Sequence, residues 1–225
     1  MSKMTKGPDG SRYWYRNSKC HREDGPAIEY ANGDRFWYHN GKLHREDGPA
    51  VEYSDGSHCW YRKGKLHRGG SPAIERADGS REWYRNGLLH RDDGPAIEYA
   101  NGDRLWLRNG KLHRDDGPAI EYANGTHKWY HNDKLQRDDG PAIEYSDGSR
   151  YWYWADLTDR RGYQFGFHRK ADGSTQYVAG CHKWPSLLAA LEHYGAEYRS
   201  SGNREECIRL LHEVASRIAK QGEMK

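Results

Sequence analysis

A tryptophan recurs every 23 residues along most of this chain, and this spacing limits the folds that the chain can adopt. Seven residues share it: Trp14, Trp37, Trp60, Trp83, Trp106, Trp129 and Trp152. A proline follows the same interval from Pro26 to Pro141, and so does an aliphatic residue followed by glutamate, from Ile28 onwards. A fixed period of about 20–50 residues is typical of repeat proteins, in which each unit packs on its neighbours. The sequence therefore predicts a repeat array.

Each unit has the composition of two short strands and two tight turns. In one unit, residues 50–53 and 58–62 are rich in β-branched and aromatic side chains, and Asp55-Gly56 separates them. Lys63-Gly64 supplies a second turn. Two-residue turns of this kind favour hairpins, and strand side chains alternate between faces. We therefore expect one face to carry Ile28, Trp37 and His44, and the other to carry Ala27, Tyr38 and Leu43.

The regular spacing stops after Trp152. Residues 165–178 predict a last hairpin around Asp172-Gly173. Residues 185–194 predict a helix with Leu187, Leu188, Leu191 and Tyr194 on one face and Gly195 as its C-terminal cap. Residues 204–220 predict a second helix, with a capping box formed by Asn203 and Glu206 and an apolar stripe of Ile208, Leu211, Ala215 and Ile218.

Together these patterns predict a mainly β fold. Residues 1–156 are expected to form an elongated single-layer antiparallel β-hairpin repeat sheet, and residues 157–225 a C-terminal hairpin with a two-helix end-piece. We interpret the helices as a cap, because an open end of a repeat sheet exposes apolar surface and unpaired edges. A separate effector domain presented by the array is the alternative.

The segment W-Y-x-N-G-K-L-H-R-x-D-G-P-A-I-E-Y-A-N-G, present with small changes from Trp37 to Gly56, resembles the variant MORN repeat. The resemblance covers about residues 6–156. It implies a MORN-like hairpin sheet of the kind found in bacterial, bacteriophage and large-virus proteins, which usually mediates protein contacts and sometimes lipid contacts. It supplies no catalytic residue. The H-R-x-D-G-P loop departs from the Tyr-x-Gly pattern of the classical repeat, so the lipid role carries over poorly.

A shorter resemblance concerns the end-piece. Ala179-Gly180-Cys181 and the segment after it resemble C-terminal segments of small phage-encoded proteins. This resemblance implies that the partner is a host or defence protein, inhibited by occlusion.

Composition and charge narrow the class of protein. The formal net charge is only +3, which argues against a nucleic-acid partner held by a basic field. Residues 1–11 contain no apolar segment of a secretory signal, and no run approaches the roughly 18 apolar residues of a membrane span. The four cysteines have no metal-ligand spacing. We expect a cytoplasmic protein with no membrane contact and no cofactor.

Two recurring polar motifs have structural interpretations. Histidine stands at positions 21, 44, 67, 90 and 113, but the next copy is Gln136, which cannot serve as a base or metal ligand. We therefore predict that the histidines pack and form hydrogen bonds, and we predict no metal site. The loop Arg22-Glu23-Asp24-Gly25-Pro26 recurs with its arginine in all six copies, and this arginine is expected to pair with Asp24 or with the glutamate column.

The position before each tryptophan is the freest in the repeat, and we predict that it forms an exposed protein-binding face. Glu82 and Cys59 stand there beside aromatic and aliphatic residues, and the tyrosines that follow six of the seven tryptophans share this face. The predicted binding residues are Tyr13, Phe36, Glu82, Leu105, Lys128, Tyr151, Tyr38 and Tyr84.

The sequence contains no recognisable nucleophile, phosphate-binding loop or metalloprotease motif, so we expect a non-catalytic protein. Three alternatives stay open. The ladders of aromatic residues and arginines resemble binding sites for a sugar, a choline-like group, a nucleotide or nucleic acid. The pair Cys181-His182 is a candidate for catalysis by the end-piece. Sheet edges also allow pairing into homo-oligomers.

Overall fold

The computed structural model describes residues 2–197 and 203–222, and it places them in short antiparallel strands and two helices. The mainly β hairpin-repeat fold with a two-helix end-piece is thus confirmed. The chain divides into two compact units, Met1–Lys111 and Leu112–Lys225, which we describe separately. The predicted domain boundary after residue 156 falls inside a strand, Arg150–Thr158, and stays a prediction.

The first unit consists of strands mostly two residues long. They are β1 (Lys3–Lys6), β2 (Arg12–Arg16), β3 (Lys19–Cys20), β4 (Ile28–Glu29), β5 (Arg35–Phe36), β6 (Tyr38–His39), β7 (Lys42–Leu43), β8 (Val51–Glu52), β9 (His58–Cys59), β10 (Tyr61–Arg62), β11 (Lys65–Leu66), β12 (Ile74–Glu75), β13 (Arg81–Glu82), β14 (Tyr84–Arg85), β15 (Leu88–Leu89), β16 (Ile97–Glu98), β17 (Arg104–Leu105) and β18 (Leu107–Arg108). Strand β19 (Lys111–Leu112) lies at the division between the units.

Two ladders run through the first unit. The main ladder pairs β1, β2, β4, β5, β8, β9, β12, β13, β16 and β17 in that order, each antiparallel to the next. Beside it lie the small hairpins β2–β3, β6–β7, β10–β11 and β14–β15. Backbone bonds join successive small hairpins, as from Gly41 N to Cys20 O at 2.8 Å.

The main hairpin turns by three residues rather than the predicted two. Ile28 pairs with Phe36, and Tyr30 N donates to Asp34 O, which leaves residues 31–33 in the loop. Gly33 has a φ of +96°, as expected of a type I turn closed by a left-handed glycine. A shift of one residue moves side chains to the other face. The predicted pairing of Ile28 with Trp37 is therefore wrong, and Ile28 shares its face with Phe36.

The second turn is the two-residue type that the sequence predicts. Tyr38 pairs with Leu43, and Asn40 and Gly41 have φ values of +50° and +79°. Positive φ at both central residues defines the type I′ turn, whose twist matches that of its strands. His44 N also donates to Trp37 O at 3.0 Å, which agrees with the predicted neighbour relation.

The core of the first unit is thin and consists of small aliphatic side chains. The alanines that follow the prolines are completely buried, and Val51 is only 2% exposed. Most of the large aromatic rings are only half-buried. A layer this thin depends on contacts along the array rather than on depth, as is usual in repeat proteins.

The second unit begins with short repeat strands and ends with long ones. The strands are β20 (Ile120–Glu121), β21 (His127–Lys128), β22 (Tyr130–His131), β23 (Lys134–Leu135), β24 (Ile143–Glu144), β25 (Arg150–Thr158), β26 (Gln164–Arg169), β27 (Thr175–Ala179) and β28 (His182–Trp184). The main ladder pairs β20, β21, β24, β25, β26, β27 and β28 in order, and β22 pairs with β23. The predicted last hairpin corresponds to β26 and β27.

Helices α1 (Leu187–Glu197) and α2 (Asn203–Lys220) share one core with the long strands. Trp152, Phe165 and Leu211 lie in this core and are fully buried. Two details differ from prediction: Leu188 is 66% exposed, and Gly195 lies inside α1 because the helix continues to Glu197. The capping box at Asn203 lies outside the residues whose side chains the structure describes.

Within the described residues, neither helix is both long enough and apolar enough to span a bilayer.

The glycine that closes the main hairpin gives a stability prediction. Gly56 has a φ of +91°, and a Cβ there would meet no atom within 4 Å, so only backbone strain opposes a side chain. We expect Gly56→Ala to lower the free energy of unfolding by about 1–2 kcal/mol, measured by urea unfolding. Gly69→Ala is the control, since Gly69 has equally open space without a positive φ. Equal effects of both substitutions would contradict this explanation.

Candidate binding face

The three-residue turn gathers aromatic side chains on one side of the main ladder. In the first unit we define the tyrosine face as two columns, Tyr30, Tyr53 and Tyr99, and Tyr38, Tyr61 and Tyr84, with the variable column Tyr13, Phe36, Cys59, Glu82 and Leu105 between them. The Phe36 ring lies 5.4 Å from Tyr30 and 5.9 Å from Tyr53, both edge to face. This geometry is the favourable one for aromatic pairs and holds the rings in place.

The outer column of this face is exposed. Tyr30, Tyr53 and Tyr99 have relative exposures of 39%, 41% and 43%. An ordered tyrosine gives a partner a large apolar area and a hydroxyl group at a small cost in conformational entropy. The outer column therefore presents aromatic area and hydroxyl groups to solvent.

The outer tyrosine column was not among the residues predicted from the sequence to form the protein-binding face. Its signal was visible, since tyrosine recurs at positions 30, 53, 99, 122 and 145. The assumed two-residue turn placed these residues on the face of Trp37, away from Phe36. Only the observed register brings the two sets together.

The predicted exposure of the variable column is wrong. Tyr13, Phe36, Leu105, Tyr38 and Tyr84 are half-buried, and Glu82 is only 8% exposed. These residues lie beside the aliphatic column and are covered in part by the tyrosines. Burial also raises the pKa of the Cys59 thiol to about 11.

The two predicted binding residues in the second unit are likewise half-buried. Lys128 places its Nζ 5.1 Å above the ring of Tyr122. Tyr151 stacks on His168 with ring centroids 3.6 Å apart. In this unit it is Tyr145, at 39% exposure, that corresponds to the exposed column.

We call a residue of the variable column and its neighbours in the two tyrosine columns a rung of the tyrosine face. One rung has an ion pair in place of aromatic packing. Arg76 stands where other units have tyrosine, and its guanidinium donates to Glu82 Oε1 at 2.5 Å. Tyr84 donates its hydroxyl to Glu82 Oε2 at 2.9 Å. Burial and this hydrogen bond raise the pKa of Tyr84 above its usual value. The irregular residues of this unit thus compensate one another.

This compensation predicts an asymmetric double-mutant cycle. Arg76→Tyr alone leaves the buried Glu82 without its cation, so we expect a loss of about 1–3 kcal/mol in unfolding free energy. Glu82→Phe alone should cost less, because the Arg76 side chain is half exposed and can reach water. The double variant, which matches the other rungs, should recover most of the loss in urea unfolding. Additive losses would contradict the pairing.

A different set of side chains binds each loop to the array, centred on the arginine of the H-R-x-D-G-P motif. Its guanidinium stacks on a tryptophan with Cζ about 4 Å from the ring centroid, as for Arg22 on Trp14 at 4.1 Å and Arg91 on Trp83 at 4.1 Å. Arg22 also donates to Asp24 at 3.0 Å and to Glu29 at 3.2 Å. Both predicted partners of this arginine are therefore confirmed, and Arg22 holds the pKa of Asp24 below its usual value.

The residue beneath the guanidinium is small in every copy. A Cβ at Gly25 would lie 3.0 Å from the guanidinium carbon of Arg22, which is a close contact. The third repeat has Gly70 in place of the aspartate and Ser71 in place of this glycine, yet Arg68 still stacks on Trp60 at 3.8 Å and donates to Glu75 at 2.9 Å. Stacking and the glutamate bond are thus the constant parts of the interaction.

The histidine column fixes the second turns. In four copies the ring Nδ1 accepts the backbone N–H of the next unit's turn, as in His21 with Asn40 at 3.0 Å and His90 with Asn109 at 3.1 Å. The corresponding distances for His44 and His67 are 3.3 and 3.2 Å. The predicted packing and hydrogen-bonding role is confirmed for these four. In the second unit His113 Nε2 lies 3.0 Å from Asp115 Oδ1.

The cysteine–histidine pair of the end-piece is exposed. Cys181 Sγ and His182 Nδ1 are 3.8 Å apart. Catalysis at this pair stays an alternative to the expected non-catalytic role.

The arginine stack gives a second stability prediction. Arg91→Lys should lower the free energy of unfolding by about 1–2 kcal/mol, because an ammonium group cannot stack on Trp83 while donating to both Asp93 and Glu98. Urea unfolding measures the change. Arg85→Lys is the control: its guanidinium is half exposed and pairs with Asp92, so its loss should stay below about 0.5 kcal/mol. An unchanged free energy of unfolding in Arg91→Lys would show that the positive charge alone stabilises the loop.

Comparison with known proteins adds no family assignment. No protein-family model matches the chain, and no curated protein does so either. The resemblance to the variant MORN repeat therefore stays a prediction, and function has to be argued from the geometry above.

Proposed function

We propose that this chain is a non-catalytic repeat scaffold that binds another protein through its tyrosine face. The exposed column of Tyr30, Tyr53 and Tyr99 is the observation that carries this proposal. Exposed tyrosines held edge to face against half-buried neighbours resemble the aromatic anchors at the centre of protein interfaces.

The variable column contributes to the choice of partner, whereas the exposed tyrosines make the main contact with it. The residues of this column differ from rung to rung and lie between the tyrosine columns, so they change the shape and charge at the base of the face. The Arg76–Glu82 rung introduces a polar step among aromatic rungs. A partner that fits one order of rungs would fit another order less well.

The contacts of the arginines argue against the nucleic-acid alternative. Each stacked arginine already donates to carboxylates of its own loop or strand, as Arg45 does to Asp47 and Glu52 at 3.1 and 2.9 Å. Phosphate binding would have to displace these ion pairs. The small-ligand alternative, and a host or defence protein as the partner, stay predictions.

The test is capture from a native lysate of the source cell, followed by affinity measurement with the purified partner. Wild-type protein should retain one partner, and Tyr53→Asp with Tyr99→Asp should weaken binding at least about tenfold, because a charge at each anchor must be desolvated. These side chains are exposed, so circular dichroism and urea unfolding should show a folded variant.

Leu88→Lys is the matched control. Leu88 is an exposed apolar residue outside the tyrosine columns, at 51% exposure, and lysine stands at this position in most other units. It should leave the affinity unchanged. Equal binding by the tyrosine variant, or loss on Leu88→Lys, would place the interface elsewhere.

A further inference from the structure

The second unit brings together two histidines and an aspartate that lie apart in sequence. His113 follows strand β19, Asp115 lies in the next loop, and His131 ends strand β22. Asp115 Oδ1 lies 3.0 Å from His113 Nε2 and 3.9 Å from His131 Nδ1, and the three candidate ligand atoms all lie within 4.8 Å of one another. The two imidazole rings are 4.3 Å apart.

We propose that His113, Asp115 and His131 bind a divalent transition-metal ion, for which zinc is the natural probe. Two imidazole nitrogens and one carboxylate oxygen form a ligand set that zinc, nickel and copper accept and that magnesium and calcium disfavour. This inference is independent of the proposed protein binding.

The distances are close to those that the ion requires. Zinc binds nitrogen and carboxylate oxygen at about 2.0–2.2 Å, so the ligand atoms of a tetrahedral site lie roughly 3.3–3.5 Å apart. The two distances to Asp115 lie on either side of this value. Binding needs only side-chain movements of about an ångström, and the chain permits them: His113 is buried and fixed, whereas His131 and Asp115 have side-chain exposures of 49% and 60%.

The ligand set depends on a change at one repeat position. A histidine near an acid is common to several of the 23-residue repeats, as in His90 and Asp92 at 2.8 Å. At the position of His131, however, four other repeats carry arginine, namely Arg16, Arg62, Arg85 and Arg108. Arginine has no lone pair to give and its charge repels a cation, whereas imidazole is a common metal ligand.

Asp115 and His131 line an open groove with a volume of about 600 Å³, together with Arg114, Arg137 and Asp138. Three protein ligands leave further coordination positions for water or for a partner's side chain. Binding through His113 Nε2 requires the ring proton to be on Nδ1.

The first unit provides a matched comparison. His21, Glu23 and His39 occupy the equivalent positions, with the histidine rings 4.6 Å apart. Among the described residues, these three do not form a group whose candidate ligand atoms all lie within 4.8 Å of one another, whereas His113, Asp115 and His131 do. We expect this set to bind metal much more weakly than the set around His131.

The test is zinc titration of the untagged full-length chain by isothermal titration calorimetry, with Cys181→Ser in every protein to remove an exposed thiol beside His182. The parent should bind one equivalent of zinc, and no magnesium under the same conditions. His131→Arg and, separately, Asp115→Asn should each weaken zinc binding at least about tenfold. His39→Arg should leave it unchanged.

Two further readouts keep these outcomes decisive. Zinc should raise the thermal midpoint of the parent and not that of folded His131→Arg, because a ligand of the native state stabilises it. Cobalt bound in place of zinc should lose its visible absorption in both ligand variants. Absence of zinc binding by the parent, retention of full affinity by either ligand variant, or an equal loss in His39→Arg would overturn the proposal.

Discussion

The stacking of an arginine on a tryptophan, with the same guanidinium bonded to a glutamate of the next strand, is the interaction on which each repeat depends. Arg45 illustrates it: the group lies 4.2 Å from the Trp37 ring centroid and 2.9 Å from Glu52. The planar guanidinium offers a face to the ring and N–H groups at its edge, so one side chain ties the loop to two strands. The buried alanines alone would leave so thin a layer weakly held. In five of the six copies a glycine lies against the guanidinium, as Gly48 does against Arg45.

How much of the structure the sequence predicts depends on the range of each interaction. The two-residue turn at Asn40-Gly41 is set by two adjacent residues, and its length and the pairing of Tyr38 with Leu43 were predicted. Loop length at Gly33 was not, because Asn-Gly occurs in both two-residue and three-residue hairpins. In the structure Ile28 lies opposite Phe36 on one side and opposite the equivalent residue Tyr13 on the other, and the longer loop gives this register. This error of one residue in loop length exchanged the predicted faces of the strand. The exposed tyrosines were therefore placed on the wrong face.

The candidate sites show the same dependence on register. Arg76 and Glu82 look like unrelated departures from the repeat until the structure places them on one rung. His131 likewise reads as a surface substitution, because its neighbours come from the preceding unit. The histidine column as a whole was interpreted correctly as structural, yet that interpretation considered one position at a time. A potential metal-binding set arises where two repeat positions coincide in space.

The bonds between successive units also constrain how such a chain can change in length. His21 accepts a bond from the turn at Asn40, and Arg22 N donates to Tyr38 O at 3.2 Å, so each unit fixes the position of the next. An inserted or deleted residue would break both bonds and turn the following strand over. Gain or loss of a complete unit preserves them. The gene is thus expected to lengthen or shorten by recombination in multiples of 23 codons, and each such step would add or remove one rung of the tyrosine face.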